Sequence, residues 1–284
     1  MGFIRDFLKL TRFEHALMLA VGVLIGEIVV LKGIPPVDSI LLFSLLVPIL
    51  AEMGSFSLND YLDIKTDRAN KRTERPLVKG TISPQFALYF SWIAFILSIF
   101  FGYLINIYAF YISLIFNLLA IAYNCKLKDF PLVGNAFIAF SMAIPFLFGN
   151  FVYSTELNKL PIVLAVLAFL SGLGREIVKS VQDMEGDKKA RKSNTLPIAI
   201  GKEKSLFIAA FLFLLFSTGG GLLVLYLEQT LSKLLILVFL YLMYPLVIDL
   251  FKGNSEKEFL EHIRKRTLIA FSIGMLAILF SLLF

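Results

Sequence analysis

Apolar residues fall along this chain in long unbroken runs separated by short polar breaks, and the breaks carry nearly all of the charge. Nine runs, over residues 15–31, 37–58, 84–104, 108–123, 132–153, 162–180, 206–227, 231–251 and 268–284, are predominantly apolar. A helix needs about 20 such residues to cross a bilayer, with a range of roughly 17–25. The runs lack the two-residue alternation of an outer-membrane strand, so helices are predicted. In lipid a helix closes its own backbone hydrogen bonds, which is why the runs can be this long and this plain. The expected fold class is all-α: a polytopic membrane protein with about nine transmembrane helices, forming a single transmembrane domain over residues 1–284.

Composition agrees with that pattern. Hydrophobic residues make up 58% of the 284, and the mean hydropathy is +0.82. A soluble domain carries roughly 45–50% apolar residues, so the excess must face lipid. The 29 Phe residues are spread over the whole length, which leaves no separate soluble domain. The single Cys125 excludes an intramolecular disulfide framework and reads as an ordinary buried thiol. The first apolar run is followed by many of its kind and is expected to be a true span, not a cleaved signal.

The net charge of +6 would suit nucleic acid, but the positions of the charges point elsewhere. With the N-terminus inside, every Lys and Arg except Lys32, Lys159 and Lys233 falls on inner segments: Arg5 to Arg12, residues 65–79, Lys126 and Lys128, residues 175–204 and residues 252–266. This is the positive-inside distribution. It predicts a cytoplasmic N-terminus, an outer C-terminus and no nucleic-acid partner. The outer connections are short, so chemistry is sought on the inner face.

Two acidic motifs stand there. Asn59-Asp60-Tyr61-Leu62-Asp63 runs on to Asp67 at the inner end of the second span, and Asn59, Asp63 and Asp67 are spaced i, i+4, i+8. If the helix continues, that spacing stacks them on one face. Asp183-Met184-Glu185-Gly186-Asp187 closes the sixth span, again with two Asp one turn apart and Gln182 beside them. Asp63 and Asp183 are each followed at i+4 by another Asp in place of a Lys, so something positive must lie between the paired carboxylates. Oxygen-rich faces of this kind suit Mg²⁺, which takes one or two carboxylates and completes its shell with substrate phosphate. The motifs lie four predicted spans apart, which suggests a duplicated four-helix unit with the ninth helix left over.

Basic residues follow each motif, among them Arg72 and Arg75 just before Pro76. Arg forks and Lys point charges grip phosphate oxygens. Lys126 and Lys128, just after Tyr123, occupy the short inner loop and can reach the same pocket. Arg175, Glu176 and Lys179 lie in the last turns of the sixth span and are expected to find partners on other helices. His15 and His262 read as interfacial, and Gly219-Gly220-Gly221 reads as a place of close helix approach.

Taken together, these residues resemble the UbiA superfamily of intramembrane prenyltransferases. Asn59 through Asp67 with Arg72-Thr73-Glu74-Arg75-Pro76-Leu77 is similar to that family's first aspartate-rich motif and the loop after it. Asp183 through Asp187 with Thr195-Leu196-Pro197 and Gly201 is similar to its second. The resemblance extends over essentially the whole chain. The second motif is similar to two branches, the archaeal digeranylgeranylglyceryl phosphate synthases and the chlorophyll or tocopherol synthases. Scarce Cys and Gln favour a heat-adapted archaeal chain. The family often carries Tyr-x-x-x-Lys after the fourth span. Here Tyr123 is followed by Lys126 and Lys128, and both remain candidates.

The resemblance implies transfer of a geranylgeranyl group from geranylgeranyl diphosphate to the free hydroxyl of geranylgeranylglyceryl phosphate, with Mg²⁺ as cofactor. Asn59, Asp63, Asp67, Asp183 and Asp187 would hold metal and diphosphate. Arg72, Tyr123, Lys126 and Lys128 would contact substrate, and Arg12 would serve the acceptor phosphate. The bilayer is the one other partner expected, with no obligate protein partner. An aromatic acceptor of quinone or chlorin type is the alternative within the family. A cation-coupled transporter is disfavoured, because transporter ion sites sit near the midplane on broken helices and these carboxylates sit at one end.

Overall fold

The computed structural model of the chain describes residues 2–69, 71–130, 132–190 and 195–284, and the side chains of all of these except Asp129 and residues 185–190. The helices are α1 Gly2–Thr11, α2 Phe13–Leu31, α3 Ser39–Leu62, α4 Ile64–Ala69, α5 Pro76–Lys79, α6 Pro84–Ile105 and α7 Ile107–Cys125. They continue as α8 Val133–Tyr153, α9 Lys159–Ala190, α10 Leu196–Ile200, α11 Lys202–Leu222, α12 Thr230–Phe251 and α13 Lys257–Leu283. Among the described residues nine of these are long and apolar enough to cross a membrane, and each overlaps one of the runs read from the sequence over most of its length.

Helix ends follow the local sequence. The Asp38 carboxylate accepts the Leu41 N–H at 3.0 Å to start α3. Ser83 caps α6 ahead of Pro84 by accepting the Phe86 N–H at 3.2 Å. Proline is well placed there because its missing N–H would have no partner in a first turn anyway. Between α6 and α7 a single residue makes the turn: Asn106 accepts the Ala109 N–H at 2.9 Å and donates to the Phe151 carbonyl at 2.8 Å.

The chain divides into two compact units. The first comprises Met1–Val30, Pro35–Lys128 and Pro145–Asn158, and the second comprises Leu31–Ile34, Asp129–Ile144 and Lys159–Phe284. Each therefore holds four spanning helices, α2 lying in the first up to Val30. The helix divided between them is α8, the fifth span. The division falls at Pro145, which has no N–H to offer the helix ladder.

In the first unit α3 packs on α6 and α7. Polar side chains tie the three together inside the apolar layer, where a hydrogen bond has no water to compete with it. Ser98 donates to the Val47 carbonyl at 3.0 Å, and Asn117 donates to Ser98 Oγ at 3.1 Å. Nearer the acidic motif, Asn124 at the end of α7 donates to Ser55 Oγ at 3.0 Å, fixing α7 against α3. In the second unit α11 packs on α9 and α12, and α13 on α12 and α9. A Cβ at Gly220 would lie 2.7 Å from the Phe239 ring, so the glycine run serves close helix approach, as expected.

Candidate active site

The first acidic motif lies where α3 stops. Asp63 takes the C-cap, its N–H bonded to the Asn59 carbonyl at 2.9 Å, and α4 resumes at once with the Asp67 N–H on the Asp63 carbonyl at 2.8 Å. This one-residue break splits the stack expected of a continuous helix. Asn59 and Asp63 turn to Lys128, whose ammonium donates to Asp63 Oδ1 at 2.6 Å and lies 3.5 Å from Asn59 Oδ1. Asp67 is drawn instead to Asp60. Arg75 Nη1 donates to Asp60 Oδ1 and Asp67 Oδ2, both at 2.7 Å. Three carboxylates are thus shared between two cations of the chain itself.

Two further arginines border the cluster. Arg72 Nη1 donates to Asp67 Oδ1 at 3.3 Å, and its side chain is 42% exposed. Arg12, in the bend between α1 and α2, lies 3.9 Å from Asp60 Oδ1 and stacks 4.2 Å from the centre of the Phe56 ring. Burial pulls the Arg12 pKa below its ordinary value, and Asp60 and Glu52 oppose the shift. A guanidinium carries five N–H donors. Arg12 and Arg72 each give the carboxylates a single long contact, while Arg75 is committed to two short ones.

The loop that carries Arg72 and Arg75 is fixed by its backbone. The Arg72 N–H bonds to the Asp67 carbonyl at 3.0 Å and the Arg75 N–H to the Arg72 carbonyl at 3.1 Å. Pro76 then starts the short α5, and Gly80 ends it with φ 80°, a left-handed conformation that glycine adopts without strain. The backbone of Arg72 and Arg75 is therefore held by hydrogen bonds, with Lys71 between the motif and Arg72 at φ 54°.

Of the two lysines left open by the sequence, Lys128 bonds to Asp63, and Lys126 is exposed at the C-cap of α7. Tyr123 is partly buried in the last turns of α7. Asp60 and the double role of Arg75 are not among the expected site residues. Asp60 stands within the motif, but its partner is 15 residues away, and only the fold shows that they meet.

In the second unit, α9 carries the second motif well past the apolar run. Gln182 donates to the Lys257 carbonyl at 3.3 Å and accepts from Arg264 Nη1 at 3.1 Å, which ties the motif to the start of α13. Asp183 is exposed, and the side chain of Asp187 lies outside the described residues. Arg175 Nε, buried two turns before Gln182, has no hydrogen-bond partner among the described residues, although the sequence predicts one on another helix. Glu176 lies 4.0 Å from Lys179 on its own helix.

The profile of the UbiA prenyltransferase family matches residues 19–259. The chain belongs to that family. A UbiA-family relative from Archaeoglobus fulgidus, the digeranylgeranylglyceryl phosphate synthase, is 34% identical over 276 residues, covering 96% of this chain and 94% of its own. A solved structure concerned with digeranylgeranylglyceryl phosphate synthase in membranes is similar at a TM-score of 0.82, with 32% identity and 99% of each chain covered. A UbiA homolog from Archaeoglobus fulgidus, solved bound to GPP and Mg²⁺, shares the fold at a TM-score of 0.67, with 21% identity and 96% and 99% of the two chains covered. This chain is therefore a multi-pass membrane prenyltransferase by family.

Proposed function

We propose that the chain transfers a geranylgeranyl group from geranylgeranyl diphosphate to the free hydroxyl of geranylgeranylglyceryl phosphate, in the presence of Mg²⁺. The observation that carries this is the cluster at the end of α3, where Asp60, Asp63 and Asp67 are bordered by Arg12, Arg72 and Lys128. Acidic groups suit a divalent ion, and the cations around them suit two kinds of phosphate. The names and lengths of the similar chains support the same reading.

The donor set fits Mg²⁺. Asn59 Oδ1 and Asp63 Oδ1 already converge on one positive charge, the Lys128 ammonium. Asn59 and Asp63 would hold the ion, and Asp183 and Asp187 are assigned the same chemistry in the second unit. Asp67 has both oxygens engaged by Arg72 and Arg75, so its part is to position those arginines. When bound, the ion supplies charge that stabilises the departing diphosphate.

Lys128 and Arg72 bind diphosphate oxygens, and charge-assisted bonds of this type are about twice as strong as neutral ones. As the allylic C1–O bond breaks, both bonding electrons leave with the diphosphate. The acceptor hydroxyl captures the allylic cation, forming the ether C–O bond and releasing its proton. The apolar spans around the motif keep water away from that cation.

Purified protein supplied with labelled geranylgeranyl diphosphate, Mg²⁺ and a panel of acceptors tests the reading. Product is expected with geranylgeranylglyceryl phosphate. Product with an aromatic acceptor alone would sink it.

Arg12 is assigned to the acceptor phosphate, because its long contact to Asp60 leaves most of its donors uncommitted. Losing a charge-assisted contact costs about 1.5–3 kcal/mol, or roughly one to two decades in affinity. Arg12→Ala is expected to raise the apparent KM for the acceptor by that factor and to leave the KM for the diphosphate donor nearly unchanged. Equal rises in both would move Arg12 to the donor site.

We also propose that the motif end faces the cytoplasm of the cell membrane, on the distribution of basic residues. A reporter after Phe284 is expected outside the cell, and one inserted after Gly80 inside. Finding both on one side contradicts the orientation.

A further inference from the structure

The N-terminal helix has no counterpart among the apolar runs, and its two faces are built differently. Its inner face is anchored. Leu10 packs with Leu77, Ile82 and Ala87, and the Phe7 ring meets Phe90 at 5.0 Å. Asp6 is 3.7 Å from the Lys79 ammonium, and a hydrogen bond with Thr81, followed by the charge of Lys79, lowers its pKa. So α1 is held against the loop that carries Arg72 and Arg75.

The outer face is open and two-striped. Ile4 and Leu8, one turn apart, are both exposed apolar side chains. Arg5 and Lys9, also one turn apart, stand directly beside them. In helical register Arg12 would extend the basic stripe by a further turn, but its φ of 44° ends the helix and turns its guanidinium toward Asp60. Side-chain exposure is 77% at Arg5 and 33% at Arg12. The only ion pair of Arg5 among the described residues is a 3.9 Å contact with Asp6, which Lys79 also holds. Three cations therefore lead from the open surface of α1 to the acidic cluster, with an apolar stripe alongside.

We infer that α1 is the sill over which the acceptor lipid enters: Arg5 and Lys9 capture its phosphate and deliver it to Arg12, while Ile4 and Leu8 cover the start of its isoprenoid tail. The occupant is argued from charge and shape together. An amphiphile with one anionic head and one hydrocarbon tail matches a basic stripe beside an apolar stripe, and the basic stripe ends at the residue assigned to the acceptor phosphate. This rests on the acceptor reading above. It adds two residues that touch no part of the acidic cluster.

The test is a steady-state comparison in neutral detergent, where no bulk anionic lipid can stand in for the acceptor. Arg5→Gln/Lys9→Gln is expected to raise the acceptor KM about tenfold, since each surface cation contributes to attracting an anionic lipid. Its donor KM and kcat should match the parent's. Raising the salt should increase the parent's acceptor KM and flatten its advantage over the variant, because exposed charges are screened. Arg5→Lys/Lys9→Arg should restore parental behaviour. An unchanged acceptor KM, or an equal rise in both KM values, overturns the sill. Should the double variant fail to fold, Arg12→Ala carries the test. Its acceptor KM still rises with salt if Arg5 and Lys9 attract the phosphate, and a salt-independent KM overturns the proposal. A parent that makes no product from this acceptor instead overturns the acceptor reading, which separates the two failures.

Discussion

Asp63→Ala is expected to lower turnover by about 10²–10³-fold, the range typical for losing one electrostatic contact to developing charge. The protein should stay folded in detergent. Asp63 caps α3 through its backbone N–H, which alanine retains. The residue lost is a carboxylate, not a packed apolar group, so no large cavity opens. Lys128 keeps Asn59 Oδ1 within reach, and its long stem can carry the ammonium toward water. Asp63→Asn separates charge from shape: if it is as impaired as the alanine variant, the negative charge is what the site requires. Chelation of the parent should produce a comparable loss that added Mg²⁺ reverses. Initial rates and the thermal unfolding midpoint check both halves. Full activity in EDTA would remove the metal from the mechanism, and a parental rate in Asp63→Ala would remove Asp63 from the site.

The spans were legible because membrane thickness sets a length, and a run of apolar residues meeting that length has few other readings. Among the described residues the nine spanning helices each overlap a predicted run, and several begin or end beyond it in charged sequence. The start of α13 is an example. Lys257 to Arg266 reads as a loop by hydropathy, yet it continues the last span as helix, with Ile263 and Thr267 turned inward and Lys265 paired to Glu261 at 2.7 Å. Hydropathy reports what faces lipid, and a helix that projects beyond lipid loses that signal without losing its hydrogen bonds. The same limit hid α1, whose mixed faces form no apolar run.

The candidate site was legible as composition and spacing, but not as pairing. Asn59, Asp63 and Asp67 stand out at four-residue intervals, and the basic residues after them stand out as a group. Which carboxylate meets which cation depends on the break at Asp63 and on the turn from Asp67 to Pro76. Neither is encoded by a period. Asp60 shows this most clearly. It lies off the i, i+4, i+8 series, yet it joins Arg75 and Arg12 because the loop folds back over the end of α3.

That fold-back leads to the largest expected effect on stability, at Arg75. The guanidinium is 16% exposed and holds Asp60 and Asp67, which are 4% and 1% exposed. Arg75→Ala leaves two buried carboxylates facing each other without the charge that joined them. Breaking a buried pair by removing one partner destabilises by about 3–5 kcal/mol. The thermal unfolding midpoint should therefore fall further than for any other substitution among these cations. Arg72→Ala is the comparison, because Arg72 is more than a third exposed and makes one long contact to Asp67. Exposed ion pairs contribute about 0–1 kcal/mol, so its midpoint should hardly move. A triple variant tests the cause. Arg75→Met with Asp60→Asn and Asp67→Asn removes cation and carboxylates together, and replacing a whole buried group is often close to neutral. Its midpoint is expected to recover most of what Arg75→Ala loses, although its activity should not. If Arg75→Ala and Arg72→Ala unfold at the same temperature, then Arg75 does not hold the two carboxylates together, and the first motif is stabilised by its helix packing alone.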